Sequence, residues 1–248
     1  MAIDRGAVRR LVEMTRSEAN KAAPDSLLIV PLGATEQHGP HLPVGTDSLL
    51  VEAVAERAVL ALRDSFPMVL APTLPVGSSA HHVPFGGTLS MTSLSFYGVL
   101  MDIGRSAASS GFRRMFYLNG HGGNSAVQQF ALEWAADHPG CRVLFHNWWN
   151  APRTWAKVQA IDPVASHGSW MENFPWTRLP GANVPDAPRP MVDMARVRAL
   201  DPVALRQYLG DGNFGGLYQR SDDEMLALWQ IAVDETRALL AGSWGEGS

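Results

Sequence analysis

Residues 31–47 bring together four side chains that could bind a metal ion. The stretch reads PLGATEQHGPHLPVGTD and contains Glu36, His38, His41 and Asp47 among three glycines and three prolines. Carboxylates and neutral imidazoles are ligands of divalent ions such as Zn²⁺ and Mn²⁺. Proline fixes φ and glycine permits sharp turns, so a loop rich in both can hold side chains at fixed positions. We interpret this loop as the main part of a metal site.

Asp47 has a second interpretation, as a helix cap. Apolar side chains recur at four-residue steps from Leu50 onward, which predicts a helix that begins near Asp47 or Ser48. An aspartate at the start of a helix commonly accepts hydrogen bonds from the first backbone N–H groups. We favour the metal-ligand role because Glu36 and His38 lie just upstream, and a shared role stays open.

Two more loops that follow predicted strands carry histidines. His81 and His82 lie among small residues, where a surface role and a site role are both open. His121 lies in the turn NGHGGN. Phosphate binding is the weaker alternative for this turn, because it lacks the G-x-G-x-x-G spacing and a following Lys-Ser or Lys-Thr pair. We therefore assign His121 to the metal site and predict that Gly122 and Gly123 contact the substrate.

A fourth loop region combines ionisable residues with tryptophans. It contains His167 and Glu172, and residues 148–176 hold five of the eight tryptophans. Tryptophan usually packs in a core, but these indoles lie among Asn, Pro and Gly residues. We predict that some of them line a substrate pocket, in particular Trp148, Trp149 and Trp170.

Together the loops offer more ligands than one ion needs. A catalytic zinc takes about three protein ligands, whereas this set has five good ones, which predicts two ions with a bridging carboxylate. Asp47 is the natural bridge because it is the central acid. Two such ions can lower the pKa of a water molecule toward neutrality, and a nearby His or Glu can protonate a leaving nitrogen. The expected reaction is hydrolysis of an amide-like bond by metal-activated hydroxide.

A parallel sheet is the structure that would position these loops. Continuous apolar runs predict strands buried on both faces, and in open α/β sheets sites lie at the carboxyl ends of the strands. The predicted strands cover residues 26–32, 68–71, 114–118 and 141–146. Helices are predicted over residues 6–16, from about 47 to 62, 93–110, 125–136 and 200–209, and from Ser221 onward, while residues 178–191 form an irregular arm.

Composition limits the class of protein. A chain of 248 residues with 46% apolar and 18% charged residues fits one domain over residues 1–248. A net charge of −4 argues against a nucleic-acid partner, and the single cysteine, Cys141, excludes an internal disulfide. No apolar run approaches the roughly 20 residues of a membrane span, and the first residues lack the apolar core of a signal peptide. We expect a cytoplasmic protein without membrane contacts.

Two of these motifs resemble the signatures of a known family. EQHGPHLP at residues 36–43 with GTD at 45–47, and NGHGGN at 119–124, closely resemble the two signatures of the creatininase (creatinine amidohydrolase) family. Weaker similarities lie at residues 82–88 and 167–172, and the resemblance extends from about residue 27 to residue 175.

The resemblance implies a three-layer α/β/α fold with a mostly parallel central sheet, two divalent ions (Zn²⁺, Mn²⁺ or Fe²⁺) and often a homohexamer. Creatininase itself has a glutamate ligand at the position of Gly123, and many relatives with this glycine use the later glutamate, here Glu172. With Asp47 as the bridge, the implied ligands are Glu36, His38, Asp47, His121 and, as the fifth, Glu172.

The resemblance leaves the substrate and the proton carrier open. His167 and His82 are rivals for the proton transfer, and Glu172 could serve as a general base. Departures from the family pattern at His81, at Gly86 and around Glu172 argue against creatinine itself as the substrate. We expect a small-molecule amide, most of all a cyclic, creatinine-like one. A deformylase, a peptide-processing amidase and a catalytically silent ligand-binding protein are the alternatives.

Overall fold

The computed structural model describes residues 8–244 and contains a single sheet of four parallel strands within them. Its order is β2-β1-β3-β4, and every neighbouring pair is parallel. Strands β1, β2 and β3 are almost wholly buried, because helices cover both faces of the sheet. The four strands lie within one residue of their predicted ends: β1 (Leu27–Leu32), β2 (Met68–Leu70), β3 (Arg114–Asn119) and β4 (Arg142–Asn147).

Helices cover both faces of the sheet. Those in the described residues are α1 (Arg16–Ala22), α2 (Thr46–Leu62), α3 (Ser93–Ser109), α4 (Phe130–Asp137), α5 (Pro152–Ile161), α6 (Met194–Ala199), α7 (Pro202–Leu209) and α8 (Asp222–Trp244). None of the helices in this part of the chain is long and apolar enough to cross a membrane.

Successive side chains of β1 point to opposite faces of the sheet and pack in two separate layers of the core. Leu27 and Ile29 pack in one cluster with apolar residues of α2, α5 and α8. Leu28 and Val30 point to the opposite face and pack with α1, α3 and α4, because successive side chains of a strand alternate between faces. The predicted three-layer α/β/α fold is therefore confirmed. A third, smaller cluster joins α6 and α7 to Phe85 and other apolar residues beside the sheet.

Two helix predictions need correction, and two helices were missed. The helix predicted over residues 6–16 lies partly outside the described residues, and within them it is a 3-10 turn at Leu11–Glu13. The α-helix begins later because Thr15 and Glu18 form a capping box that starts α1. The segment Gly122–Val127 also winds as 3-10 turns, so α4 begins at Phe130 and not near residue 125. Helices α5 and α6 were not predicted.

Thr92 is expected to stabilise α3 as its N-cap. Its Oγ1 accepts a hydrogen bond from the backbone N–H of Ser95 at 3.1 Å. We expect Thr92→Ala to lower the free energy of unfolding by about 1 kcal/mol, measured by urea denaturation. Ser109→Ala, at the exposed other end of the same helix, is the control, and an equal loss in both variants would contradict the capping role.

Candidate metal centre

The loops at the carboxyl edge of the sheet bring most of the predicted ionisable residues together. Glu36 and His38 follow β1, Asp47 lies in the first turn of α2, and His121 follows β3. His82 reaches the same place from a 3-10 turn after β2. All five side chains are buried, with exposures of 3% or less. His41 lies outside the cluster, with its Nε2 2.9 Å from the backbone carbonyl oxygen of Tyr218.

Asp47 lies at the centre of this cluster. Its Oδ1 is 3.2 Å from Nε2 of His38, and its Oδ2 is 3.1 Å from Nδ1 of His121. The N-cap of α2 is Gly45, two residues earlier, so Asp47 does not cap the helix. Its two carboxylate oxygens instead face imidazoles that come from two different loops.

The donor atoms form three overlapping groups. In each group, one oxygen or nitrogen per residue lies within 4.8 Å of the others. Glu36, His38 and Asp47 each belong to two groups, and Asp47 is the member common to the group with His121 and the group with Glu172. The groups are Glu36, Asp47 and His121; His38, Asp47 and Glu172; and Glu36, His38 and His167.

Three of the histidines share one hydrogen-bonding pattern. The outer ring nitrogen of each lies against a backbone carbonyl oxygen, which can only accept, so that nitrogen carries the proton. The inner nitrogen of the neutral ring is then bare and faces the carboxylates, as is typical of metal-binding histidines. The pairs are His38 Nδ1 with the carbonyl of Glu36 (3.0 Å), His121 Nε2 with that of Ser78 (3.0 Å) and His167 Nε2 with that of Gln37 (2.9 Å).

When the imidazoles are neutral, the carboxylates lack the donors that they would need in an ion-free site. Both oxygens of Glu36 and Oδ2 of Asp47 are buried without a hydrogen-bond partner among the described residues. A buried charge that is unpaired is costly, and bare imidazole nitrogens add lone pairs that face the same oxygens. A divalent cation between them would satisfy both sets of atoms, so the residues present fit a metal centre.

Protons are the alternative partners of this cluster. Burial lowers the pKa of His38, but the carboxylates of Asp47 and Glu172 outweigh it and raise that pKa to about 10. Burial also lowers the pKa of His121, but the carboxylates of Glu36 and Asp47 outweigh it and raise that pKa well above its usual value. A metal ion must therefore displace protons from these imidazoles.

Glu172 and His167 form the accessible side of the cluster. Their side chains are 17% and 16% exposed. Burial, with Asp47 nearby, raises the pKa of Glu172 to about 7. The backbone N–H of Gly168 donates to Oε2 of Glu172 at 2.7 Å and holds this carboxylate beside His38, whose Nε2 is 3.8 Å away.

His82 differs from the other histidines of the cluster. Its Nε2 is 3.8 Å from Oε1 of Glu36, and its ring stacks on that of His167 with a centroid distance of 4.6 Å. Burial, together with the neighbouring His81, lowers the pKa of His82 to about 2. His82 therefore stays neutral, and its other nitrogen contacts a side chain, Gln37, instead of a backbone carbonyl.

The two glycines of the NGHGGN turn have different surroundings. A Cβ on Gly123 would overlap the carbonyl oxygen of Ser78 and lie 2.5 Å from Nε2 of His121. Gly122 is exposed, and a Cβ there would meet only the ring of Trp149, at 3.9 Å. No side chain fits at Gly123, which leaves Glu172 as the glutamate that lies in the cluster together with Glu36.

Gly123→Ala is expected to reduce the metal content of the purified protein by about half, because the added methyl group must displace Ser78 and disturb the hydrogen bond that orients His121. Elemental analysis after purification without chelator measures this. Gly122→Ala is the matched control and should keep the metal content of the unmutated protein. Equal metal content in both variants would show that the turn tolerates a side chain at residue 123.

Two of the three tryptophans predicted to line a pocket pack in the core. Trp170 has no exposed surface, and its Nε1 donates to Oδ2 of Asp162 at 3.1 Å. Trp148 is 2% exposed and packs near Phe174. The prediction is wrong for these two because the layer of α2, α5 and α8 covers them. Trp149 is half-buried beside Gly122, and its substrate contact stays a prediction.

Several polar residues that support the site were not predicted. Ser79 lies with its Oγ 3.2 Å from Nε2 of His121. The side chain of Asn119 bonds both backbone groups of His121, and Asn124 donates to Asn119. The symmetry of the NGHGGN turn, with Asn at both ends, was the signal for these amides. Gln37 lies between two predicted ligands, but a neutral amide at that position gives no signal of a site in the sequence.

Comparisons with known sequences give one family match over most of the chain. A profile of the creatininase family, described as creatinine amidohydrolase, matches residues 12–240. The creatinine amidohydrolase of Pseudomonas putida is 30% identical over 210 residues, which are 77% of this chain and 75% of that protein. The mycofactocin precursor peptide peptidase of Mycobacterium tuberculosis is 38% identical over 123 residues, 47% of this chain and 48% of that protein. The chain thus spans about half the length of these peptidase relatives.

Solved structures show the same fold. A manganese form of creatininase superposes with a TM-score of 0.79 at 24% identity, covering 96% of this chain and 99% of that one. A mutant creatininase complexed with creatine gives a TM-score of 0.80 at 22% identity, with coverage of 96% and 99%. At these identities the likeness concerns the fold alone.

Proposed function

Because this chain belongs to the creatininase family, we propose that it hydrolyses an amide C–N bond with divalent metal ions. The observation that carries the proposal is the state of the buried carboxylates. Both oxygens of Glu36 and one of Asp47 lack hydrogen-bond partners among the described residues, and the imidazole nitrogens that face them are bare when the rings are neutral. A cation is the partner that this arrangement needs.

Two ions, Zn²⁺, Mn²⁺ or Fe²⁺, are proposed for each chain, since all three accept mixed carboxylate and imidazole ligands. When bound, such a pair polarises a substrate carbonyl and lowers the pKa of water toward neutrality. Asp47 would bridge the two ions. The first would be held by Glu36, Asp47 and His121, and the second by His38, Asp47 and Glu172, the groups whose donor atoms lie within 4.8 Å of one another.

The remaining side chains bind, orient and exchange protons. A substrate would enter past Glu172 and His167, because the other ionisable residues of the cluster are closed to solvent. Oε2 of Glu172 is held by the N–H of Gly168. In the ion-free cluster burial raises the pKa of Glu172 to about 7, so a bound cation would displace its proton, and the proton transfer is left to His82 and His167. His82, which is itself closed to solvent, stacks on the ring of His167.

A small cyclic amide is the first candidate substrate, since the ligating atoms lie deep in a buried cluster with narrow access. A peptide is the second candidate, and one observation favours it. The relatives with the higher identity, 38% over 123 residues, are peptide peptidases, whereas the creatinine amidohydrolase relative is 30% identical.

Assays with one panel of amides separate these candidates. Creatinine, a simple lactam, a cyclic ureide, a formamide and short peptides are incubated with the protein and added Zn²⁺ or Mn²⁺. Hydrolysis of the cyclic compounds alone supports the first candidate, and cleavage of the peptides alone supports the second. No hydrolysis, together with fewer than one bound transition ion per chain, would contradict the proposal and favour a ligand-binding protein. The homohexamer and the cytoplasmic location implied by the sequence stay predictions.

A further inference from the structure

We propose that Gln37 is a positioning residue that fixes the tautomer of His82, so that His82 presents an N–H group to the substrate while His167 presents a bare nitrogen. The inference rests on the proposed function for the identity of the substrate, an amide. It assigns different roles to two histidines that look alike in the sequence.

The orientation of the Gln37 carboxamide follows from two backbone groups. Gln37 is 5% exposed. Its Oε1 accepts a hydrogen bond from the N–H of Gly39 at 2.9 Å, and its Nε2 donates to the carbonyl oxygen of Gly212 at 3.0 Å. A backbone N–H can only donate and a carbonyl can only accept, so the oxygen and the nitrogen of this amide cannot be exchanged.

The second hydrogen of the Gln37 amide has one acceptor. Nε2 of Gln37 lies 3.1 Å from Nδ1 of His82 and 3.0 Å from Nε2 of His167. Nε2 of His167 also lies 2.9 Å from the carbonyl oxygen of Gln37. It must therefore carry a proton, and it cannot accept one from the amide. The amide hydrogen is donated to Nδ1 of His82, which is consequently bare.

The two stacked histidines then face the cluster with opposite groups. A neutral imidazole with a bare Nδ1 carries its hydrogen on Nε2, and this atom of His82 lies 3.8 Å from Oε1 of Glu36. A protonated ring nitrogen cannot coordinate an ion, so His82 is not a ligand but a hydrogen-bond donor, to the amide oxygen of the substrate or to its nitrogen as the C–N bond breaks. Nδ1 of His167, 3.5 Å from the same oxygen, is bare.

The loop over Gln37 is built around this carboxamide. Gly212 has φ of +101°, and a Cβ on it would overlap Oε1 of Gln37. The ring of Phe214, in the same loop, lies 4.9 Å from that of His167 and 5.7 Å from that of His82. The glycine thus permits the close approach that gives Gln37 its carbonyl acceptor, and the phenylalanine covers the two histidines.

The test reads the tautomer directly. Full-length protein labelled with ¹⁵N-histidine and loaded with Zn²⁺ is studied by long-range ¹H–¹⁵N NMR, and the signals of His82 are those lost in His82→Gln. We expect a bare Nδ1 and a protonated Nε2 in the unmutated protein. Gln37→Glu keeps the shape but replaces the donor with an acceptor, so the proton should move to Nδ1. Gln219→Glu, at an exposed position, should leave the pattern unchanged.

Metal content provides the second readout. His82→Ala should keep the Zn²⁺ content of the unmutated protein and, with any amide of the panel that is hydrolysed, lower kcat by about 100-fold or more. A loss of Zn²⁺ in His82→Ala would make His82 a ligand and overturn the proposal.

Two NMR results would also overturn the proposal: a protonated Nδ1 on His82 in the unmutated protein, or an unchanged pattern in Gln37→Glu. If Gln37→Glu does not fold, Gly212→Ala, which displaces the carboxamide, tests the same hydrogen bond. Failure of the proposed function would instead appear as missing hydrolysis in the unmutated protein, and it would leave the tautomer measurement valid.

Discussion

Asp47→Asn is expected to remove bound metal at both positions and to lower kcat/KM by more than about 100-fold. Replacing a residue that only hydrogen-bonds a metal ligand already lowers metal affinity or activity by about 10–100-fold. Asp47 places one oxygen 3.2 Å from His38 and the other 3.1 Å from His121, so it is the only carboxylate shared by the two proposed ion positions. An asparagine has the same shape but offers one neutral oxygen. Elemental analysis and the amide assay measure the two effects.

The fold should survive this substitution. It keeps the shape of the side chain, and His38 and His121 can lose their protons once Asp47 no longer raises their pKa values. It also breaks no capping bond, since Gly45 is the N-cap of α2. Far-ultraviolet circular dichroism should therefore be unchanged. Asp64→Asn, at a side chain that is 93% exposed, is the control with full metal content. Glu36→Gln should act as Asp47→Asn does, and full metal content and activity in either variant would refute the ligand assignment.

The second large effect concerns stability. Each tenfold rise in free Zn²⁺ above the dissociation constants should raise the free energy of unfolding by about 2.7 kcal/mol, since two ions that bind only the folded state contribute about 1.4 kcal/mol each. For a chain of this length, the melting temperature should rise by roughly 5–11 °C per tenfold step. Thermal unfolding in buffers of defined free Zn²⁺ measures the slope.

The slope of the free energy of unfolding against the logarithm of the free Zn²⁺ concentration also gives the number of bound ions. A slope of about 1.4 kcal/mol per tenfold step would indicate one ion per chain and remove the need for a bridging carboxylate. In Asp47→Asn the stability should no longer depend on Zn²⁺. If the free energy of unfolding of the unmutated protein did not change with Zn²⁺, the buried cluster would not be a binding site for these ions. This measurement needs no substrate, so it tests the metal centre apart from the reaction.

The strands and the site loops were predictable because their signals are local. β1 is a continuous apolar run, LLIVPL, and the metal-type residues follow it within a few positions. Parallel strands place their carboxyl ends at one edge of a sheet. For this reason the sequence assigns Asp47 and His121 to one cluster although they are far apart along the chain, and in the structure Oδ2 of Asp47 lies 3.1 Å from Nδ1 of His121. The start of α3 was equally readable, since Thr92 caps it from the adjacent position.

Other elements depend on partners far along the chain. Helix α5 begins where the side chain of Glu235, 81 residues away, accepts hydrogen bonds from the N–H of Thr154 and its neighbour. Trp170 has the polar neighbours of a pocket residue but is buried because α8 and α2 pack over it. Neither feature leaves a periodic or compositional signal near the residue itself.

The sequence by itself determined which atoms could bind cations and at which edge of the sheet they would meet, because ligand chemistry and strand direction are properties of short segments. Only the tertiary structure decided the roles of the histidines. The tautomer of His82 depends on Gln37, and the orientation of Gln37 depends on the carbonyl of Gly212, 175 residues farther along. Hydrogen bonds between distant segments are created by packing, so the proton on each ring becomes defined only when the chain is folded.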